Sequence, residues 1–396
     1  MKELCLPRRL KVGAGSFYKV GEVAKELHAS HLFIVCGSLL MREPFLSQFK
    51  GMLSRQGLTA DFFSGIKGEP TTEELNEALK QLKQSGADCI VAVGGGSVID
   101  LAKALSVMGL VEEATLDSIP GMRVLERLPL IAVPTTAGTG SEASRVTVIT
   151  ERESQVKKNP GHEGMVPDAA ILDPVLTVSL PKHVTAYTGL DALAHAMEAY
   201  VSRKATPLSD HFALEAVRLI GKWLPEAYEN GEDLEAREMM LLGSYYAGVA
   251  FSNASTNLAH AAARPLGARF HIPHGLSVAL LMPYVIEFGL EAAAERYADI
   301  GHMLGGNQEQ SLKKAEYVLE RVREFNDRFN ILQEGSAYIP DGEAFINVMP
   351  TLIQNAMSGN GILTNKTVPD ERDIERIYLQ LLTSLKEEWR MSGIQK

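Results

Sequence analysis

Short apolar runs alternate with amphipathic segments through the first half of the chain. The runs H-L-F-I-V-C, D-C-I-V-A-V, L-P-L-I-A-V-P and V-P-D-A-A-I-L-D-P have the length of buried strands and are bounded by glycine or proline. Between them, segments such as L-S-Q-F-K-G-M-L-S-R and T-E-E-L-N-E-A-L-K-Q-L space their apolar residues as amphipathic helices do. Because strand and helix alternate, we predict an α/β fold with a parallel sheet covered on both faces.

The pattern changes beyond Leu180. Runs such as L-D-A-L-A-H-A-M-E-A-Y and E-M-M-L-L-G-S-Y-Y-A-G-V-A-F are helical, and few strand signals remain. A chain of 396 residues is also long for a single hydrophobic core, which favours two domains. We predict an α/β domain over residues 1–180 and an all-helical domain over residues 181–396.

Composition and charge restrict the class of protein. The chain has 45% hydrophobic and 22% charged residues, as soluble globular enzymes do. Its net charge of −10, with no basic patch, argues against nucleic acid or an anionic membrane as a partner. Cys5, Cys36 and Cys89 lie in or beside apolar runs, which suits free thiols in a reducing compartment. We see neither a secretory leader nor a membrane-length apolar segment, and we expect a cytoplasmic protein.

Small residues cluster where three of the predicted strands end, at Gly37, Gly94 and Pro134. Ligands of parallel sheets bind at these carboxyl ends. The turn G-G-G-S over residues 94–97 would let backbone N–H groups approach a diphosphate, and the loop T-T-A-G-T-G-S-E-A-S over residues 135–144 could bind phosphates, ribose or a carboxamide. Either segment alone could be a tight turn or a solvated loop. Together they favour a nucleotide site.

A second group of residues has metal-ligand chemistry. Asp191 and His195 are four residues apart in a run without glycine or proline, so both should project from one face of a helix. A further Ala-rich helical run presents His260, and we expect breaks in R-P-L-G-A-R-F-H-I-P-H-G, at Pro265, Gly267 and Pro273, to turn the chain toward His274. An isolated histidine is more often structural, and an Asp–His pair can simply hydrogen-bond. The four residues nevertheless form a plausible divalent-metal site.

Several longer motifs then point to a known family. The segments G-G-G-S-V-I-D, P-T-T-A-G-T-G-S-E, P-D-A-A-I-L-D-P, G-L-D-A-L-A-H-A-M-E-A-Y and I-P-H-G resemble those of the iron-containing (group III) alcohol dehydrogenases, in family order and over nearly the whole chain. The resemblance implies a Rossmann-like dinucleotide-binding domain followed by an all-α domain that holds a divalent metal, an architecture related to dehydroquinate synthase. It implies a metal-dependent NAD(P)-linked alcohol dehydrogenase or aldehyde reductase.

Carried over by position, the resemblance makes Asp191, His195, His260 and His274 the metal ligands. On the cofactor side it implies these residues: Gly95, Gly96, Ser97, Asp100, Thr135, Thr136, Thr139 and Lys157. Iron(II) is the metal that the family implies, although nitrogen and oxygen ligands also suit zinc, nickel or manganese.

Two positions depart from the family pattern. Many members carry a second histidine four residues after the one matching His260, where this chain has Arg264. Arg264 could form a surface salt bridge, or it could bind an anionic substrate tail such as a carboxylate, phosphonate or sulfonate. NAD-specific members often have Asp at the cofactor-binding position occupied here by Gly37, which Ser38 follows, so both NAD and NADP stay open.

His271 precedes His274 by three residues and is a candidate proton relay, or otherwise a residue lining the site. Three alternatives to an alcohol dehydrogenase stay open at this point. They are a hydroxyacid–oxoacid transhydrogenase, a metal- and NAD-dependent lyase or cyclase, and a non-catalytic scaffold. The last is disfavoured because all four ligand positions hold competent side chains. We expect a small alcohol or aldehyde substrate and a homo-oligomer, a dimer or larger.

Overall fold

The computed structural model describes residues 3–38, 40–66, 68–123, 125–152, 156–306 and 311–393. The chain divides into two compact units. The sheet unit comprises Cys5–Leu180 and Gly231–Ser252. The helical unit comprises Met1–Leu4, Pro181–Asn230 and Asn253–Lys396.

Eight strands lie in the sheet unit. They are β1 (Arg9–Val12), β2 (His31–Cys36), β3 (Thr59–Phe63), β4 (Cys89–Gly94), β5 (Leu130–Pro134), β6 (Ile149–Glu151), β7 (Val156–Lys158) and β8 (Ala169–Leu172). Six of them form one parallel sheet in the order β1-β8-β5-β4-β2-β3, while β6 and β7 pair as a small antiparallel ribbon. The predicted α/β fold with a parallel sheet is confirmed.

Fourteen helices are found in the described residues. They are α1 (Val20–Glu26), α2 (Phe45–Arg55), α3 (Thr72–Ser85), α4 (Gly96–Met108), α5 (Lys182–Val201), α6 (Pro207–Glu229), α7 (Leu234–Asn253), α8 (Leu258–Phe270), α9 (His274–Gly289), α10 (Ala294–Met303), α11 (Ser311–Arg328), α12 (Ile331–Ser336), α13 (Gly342–Met357) and α14 (Glu371–Met391). None of these helices is long and apolar enough to cross a membrane.

Both faces of the sheet are buried because helices cover each of them. Successive side chains of a strand point to opposite faces, so each strand contributes to two cores. In β2, Leu32 and Ile34 join a core with residues of α1 and α2, whereas Phe33 and Val35 join a second core with residues of α3 and α4. A strand covered on both faces must be apolar at every position, which explains the continuous run H-L-F-I-V-C. These two cores hold the carboxyl ends of the strands in register.

One helix beyond residue 180 belongs to the sheet unit. The residues of α7 up to Ser252 group with the sheet, which the sequence-based division at Leu180 did not anticipate. Two glycines allow the helix to approach the loop after β5, since a Cβ on Gly248 would lie 2.5 Å from the carbonyl oxygen of Gly140. The hydroxyl of Ser252 also accepts a hydrogen bond from the Arg145 backbone N–H, at 3.0 Å.

In the helical unit, α8 runs through Pro265 and Gly267 and ends at Phe270, with His271 as its capping residue. The expectation that Pro265 and Gly267 break the helix is therefore wrong. A buried tyrosine supports the backbone at this point, because the Tyr378 hydroxyl donates to the carbonyl oxygen of Ala262 at 2.8 Å. Gly267 is needed for packing, since a Cβ there would lie 2.8 Å from the Ser277 hydroxyl on α9. The chain turns toward His274 only where His271 adopts the left-handed conformation, with φ of 55°.

Candidate metal and cofactor sites

Helix α5 supplies two of the predicted metal ligands. Asp191 and His195 lie one helical turn apart and are both buried, with relative exposures of 3% and 6%. The Nδ1 of His195 lies 3.8 Å from Oδ2 of Asp191, which confirms that both side chains project from one helical face. Leu190, Leu193 and Ala194 beside them are also buried, so the pair is held inside the helical unit.

The other two predicted ligands come from α8 and α9. The Nε2 atoms of His260 and His274 lie 3.4 Å and 3.7 Å from Oδ1 of Asp191. The imidazole of His260 stacks on that of His195 with ring centroids 4.1 Å apart. The ligand atoms of Asp191, His195 and His260 all lie within 4.8 Å of one another. The fold therefore brings together all four residues that the sequence selected.

The chemistry of this cluster fits a divalent cation. Oδ1 of Asp191 and Nε2 of His260 are buried and make no hydrogen bond within the part of the chain that the structure describes. Buried polar atoms of this kind are costly unless a partner is supplied. A carboxylate oxygen and imidazole nitrogens are ligands that iron(II), zinc and manganese accept. A cation among these side chains would satisfy both orphaned atoms.

The electrostatics of the cluster keep a negative oxygen and a neutral imidazole ready for a cation. Burial works against ionisation of Asp191, but the imidazoles of His195, His274 and His260 lower its pKa well below the usual value. Burial lowers the pKa of His195 to about 3, despite the opposing effect of Asp191. His195 is therefore neutral at physiological pH, as a metal ligand must be.

His260 has a different environment because two carboxylates contact it. Burial alone would lower its pKa, but Glu198 and Asp191 raise the pKa to about 9. The Glu198 Oε2 lies 2.6 Å from Nδ1 of His260. Sequence reasoning missed Glu198, although it lies two turns after Asp191 on the same helix and that spacing could have identified it.

Arg264 lies one turn after His260 in α8. Its guanidinium has no ion pair or hydrogen bond to any of the residues described. Burial lowers its pKa, while the charges of Glu198 and Asp191 act in the opposite direction. Arg264 is thus a half-buried cation within electrostatic reach of the cluster, and the surface salt bridge considered for it is not formed among these residues.

His271 is exposed and ends α8 in the left-handed conformation, with φ of 55° and ψ of 31°. Histidine tolerates this conformation better than most residues, so the capping position explains part of its presence. Its role as a proton relay stays a prediction.

That role can be tested with His271→Asn, since asparagine also tolerates the left-handed conformation and should preserve the helix end. If the imidazole relays a proton, kcat should fall by about 10²-fold and the limb of the pH–rate profile that depends on an imidazole should disappear. The measurement is kcat against pH for both proteins. An unchanged profile would leave His271 with only the structural role.

In the sheet unit, the two glycine-rich loops lie side by side. Gly94 of β4 pairs with Pro134 of β5, and the N–H of Gly37 donates to the Val93 carbonyl oxygen at 3.1 Å, so the three strand ends lie at one edge. A Cβ on Gly96 would lie 2.7 Å from the side chain of Thr139. The absence of a side chain there allows the first turn of α4 to contact the second loop, and leaves its N-terminal N–H groups for an anion.

The structure places the remaining predicted cofactor residues on these two loops or behind them. Gly95 caps α4, Ser97 lies in the first turn of that helix, and Thr135 and Thr136 lie on the second loop. Asp100 lies behind the loops, where its carboxylate accepts hydrogen bonds from the Ser141 hydroxyl and from the Val148 N–H. Asp100 therefore anchors the second loop. Lys157 lies in the β6–β7 ribbon, with its Nζ 2.5 Å from the Glu69 carboxylate.

A buried lysine, which sequence reasoning missed, anchors the same loop. Lys103 is completely buried in α4, and its ammonium donates to the hydroxyls of Ser141 and Ser144 and to the Val146 carbonyl oxygen, each at 2.8 Å. Burial lowers its pKa to about 8, although Asp100 favours the charged form. Three hydrogen bonds to one ammonium fix the shape of the loop over residues 141–146.

The carboxyl group of Glu142 in that loop gives a pH-dependent prediction. It is 1% exposed, and burial raises its pKa from 4.5 to about 7. Because the folded state holds the proton more tightly, the contribution of Glu142 to stability is greatest below pH 4.5 and is lost as pH rises through 7. We expect Glu142→Gln to match the wild type near pH 4 and to be more stable near pH 8 by about 2–3 kcal/mol in free energy of unfolding.

Denaturant unfolding of both proteins at the two pH values measures this difference. Glu113→Gln is a suitable control, since Glu113 is exposed in the same unit and its variant should show no such pH dependence. Equal effects of Glu142→Gln at the two pH values would contradict the expected titration.

Two family models match this chain. Residues 7–174 match the family model described as iron-containing alcohol dehydrogenase. Residues 185–382 match the model for the C-terminal region of the Fe-containing alcohol dehydrogenase family. The two models cover the sheet-forming first part of the chain and most of its helical second part.

Individual proteins match over most of their length. "Probable alcohol dehydrogenase EutG" of Escherichia coli (strain K12) is 42% identical over 325 residues, which are 82% of this chain and 82% of that protein. "Sulfoacetaldehyde reductase" of Bilophila wadsworthia is 33% identical over 327 residues, covering 82% of this chain and 84% of its own. The crystal structure of a 1,3-propanediol oxidoreductase superposes with a TM-score of 0.90 at 31% identity, covering 96% of this chain and 100% of that one.

Proposed function

The chain belongs to the iron-containing alcohol dehydrogenase family, an NAD(P)-dependent oxidoreductase family, and from this membership we propose that it reduces short aldehydes that carry an anionic tail. The observation that carries the substrate class is the half-buried guanidinium of Arg264, which has no ion pair or hydrogen bond among the described residues and lies near the histidine–aspartate cluster. The reverse reaction would oxidise the corresponding alcohols.

In this proposal Asp191, His195, His260 and His274 hold the metal. Bound there, a divalent cation supplies Lewis-acid polarisation of a substrate oxygen, and the nicotinamide supplies or accepts the hydride. Asp191 contributes the negative charge, and the low pKa of His195 keeps its imidazole neutral. Iron(II), as the family name implies, is the metal we expect.

Arg264 would bind the anionic tail. A guanidinium presents several N–H donors in a fixed plane, which matches carboxylate, phosphonate and sulfonate oxygens better than a point charge does. Since burial already disfavours its charge, an anion that pairs with it would gain more than at an exposed position. A relative named sulfoacetaldehyde reductase, whose named substrate is a sulfonated aldehyde, agrees with this chemistry.

The cofactor would bind at the two loops of the sheet unit. The N-terminal turn of α4 at Gly95, Gly96 and Ser97 would receive the diphosphate, and Thr135, Thr136 and Thr139 would contribute hydroxyl groups. Asp100 and Lys103 would act from behind by fixing the second loop. Gly37 has no side chain, and a Cβ there would have no neighbour within 4 Å. The position therefore holds no carboxylate that would repel a 2′-phosphate, and no other described group occupies the space. We therefore expect both NADH and NADPH to be accepted.

The proposal is tested by following nicotinamide absorbance in protein reconstituted with iron(II). NADH and NADPH are each offered with pairs of aldehydes of equal length, one member of each pair carrying a carboxylate or sulfonate. A preference of about 10-fold or more in kcat/KM for the charged members supports the proposal. Equal rates on both members would refute the substrate class. Turnover of alcohol and aldehyde together, without consumption of free cofactor, would indicate a transhydrogenase.

A further inference from the structure

We propose that Glu198 is a positioning residue for the metal site, which it serves by fixing the orientation and tautomer of His260. The inference rests on the proposed metal-binding function of the cluster. Glu198 lies in α5 and is 5% exposed. Its carboxylate faces the N-terminus of α8, the helix that carries His260 in its first turn.

The Glu198 carboxylate accepts three hydrogen bonds from this helix end. Oε2 accepts from Nδ1 of His260 at 2.6 Å and from the N–H of Asn257 at 2.9 Å. Oε1 accepts from the N–H of Ala259 at 2.6 Å. The first N–H groups of a helix need external acceptors, and a negative charge is favoured there. Because the N-cap residue Asn257 makes no side-chain cap of its own, Glu198 caps α8 from a neighbouring helix.

A second residue holds the same helix end without touching the imidazole. Oδ1 of Asn365 accepts a hydrogen bond from the Leu258 N–H at 3.2 Å. Its Nδ2 donates to the carbonyl oxygens of Gly361 and Ile362 at 2.7 Å and 2.8 Å. Asn365 thus stabilises the start of α8 through the backbone only, which makes it a matched comparison for Glu198.

The bond from Nδ1 decides which ring nitrogen is available. An imidazole that binds a metal carries one N–H, and the Glu198 carboxylate can only accept, so that hydrogen stays on Nδ1 and Nε2 is the nitrogen that gives up its proton and offers the lone pair. That Nε2 lies 3.4 Å from Oδ1 of Asp191. Rotating the ring would break the 2.6 Å bond to Glu198. Carboxylates in this position orient histidine ligands and strengthen their donation to metals, and losing one typically costs about 10–100-fold in metal affinity.

The test is Glu198→Gln, which removes the negative charge and leaves one acceptor oxygen and one amide NH₂ group facing the three donors of His260, Asn257 and Ala259. Zinc affinity is measured by competition with a chromophoric chelator, and the visible spectrum of the cobalt-loaded protein is recorded. We expect zinc affinity to fall about 10–100-fold and the cobalt bands to shift, while NADH affinity stays within about 2-fold. Glu198→Asp keeps the charge but moves the carboxylate away from the imidazole, so its zinc affinity should also fall. This variant replaces Glu198→Gln in the test if the glutamine variant does not fold.

Asn365→Ser is the control, because it loosens the same helix end but leaves the imidazole bond intact. We expect it to lower the melting temperature while zinc affinity changes less than about 3-fold. Equal losses of zinc affinity in the Glu198 and Asn365 variants would overturn the proposal, as would unchanged affinity in both Glu198 variants. If wild-type protein bound no zinc or cobalt, the metal-binding function itself would be wrong, which is a distinguishable failure.

Discussion

Asp191→Asn is expected to lose its metal and to lower kcat/KM for aldehyde reduction by about 10³-fold or more. Asp191 supplies the only carboxylate among the four proposed ligands, and its Oδ1 lies 3.4 Å and 3.7 Å from the nearest nitrogens of His260 and His274. The low pKa of Asp191 keeps it ionised throughout the working pH range, so the asparagine variant removes a full negative charge from a buried site. Metal content after desalting and kcat/KM are the two measurements.

A change of the same kind far from the cluster provides the control. Asp327 is exposed on α11, and Asp327→Asn should retain both metal and activity. If Asp191→Asn kept a full complement of metal and wild-type turnover, the assignment of the metal to this cluster would be wrong.

Arg264→Ala is expected to lower kcat/KM by about 100-fold for aldehydes with an anionic tail, because removing one partner of a charge pair that the bound substrate shields from water costs about 2–5 kcal/mol. For neutral aldehydes of the same length the change should stay within about 3-fold. The difference follows from the guanidinium itself, which has no partner among the described residues and is therefore available to the substrate. Steady-state kinetics on matched pairs of aldehydes measure the ratio.

Arg264→Lys separates charge from geometry. Lysine keeps the positive charge but lacks the planar set of donors, so we expect an intermediate loss of about 10-fold on anionic aldehydes. If the alanine variant lost activity equally on charged and neutral aldehydes, Arg264 would be supporting the helix or the metal site instead of the substrate tail.

The features that the sequence predicted correctly are those fixed by local patterns. Continuous apolar runs located the strands of the parallel sheet, since a strand buried on both faces must be apolar throughout. The spacing of Asp191 and His195 placed them on one face of α5 because a helix has 3.6 residues per turn. His260 was selected from an Ala-rich helical run and His274 from the turn that follows it, and the fold brings both to the same carboxylate.

The features that sequence reasoning missed depend on packing between distant segments. The course of α8 through Pro265 could not be foreseen, because its support includes a hydrogen bond from Tyr378, more than a hundred residues later. The same applies to α7, whose approach to the loop after β5 needs both Gly140 and Gly248. Glu198 was overlooked because its partners at the start of α8 are about sixty residues away.

In the cofactor loops, the sequence identified a residue of the site but not its contacts. The family resemblance implied that Asp100 lies near the diphosphate, yet its two carboxylate oxygens accept hydrogen bonds from Ser141 in the second loop and from Val148 just after it. The motif correctly placed Asp100 beside the cofactor loops. Its carboxylate, however, already has two hydrogen-bond donors from the protein, so we infer that it supports the loop and does not contact the cofactor. Lys103 has the same kind of role and lies three residues further along α4.

The central claim is that Asp191 and its three histidines hold the metal that aldehyde reduction requires. Its most direct test is an anaerobic titration of metal-stripped protein with iron(II), following nicotinamide oxidation with an anionic aldehyde at each addition. We predict that turnover is negligible at the start, rises with added iron and saturates at about one metal ion per chain, and that Asp191→Asn shows no such rise. Full turnover in stripped wild-type protein, independent of added metal, would contradict the account.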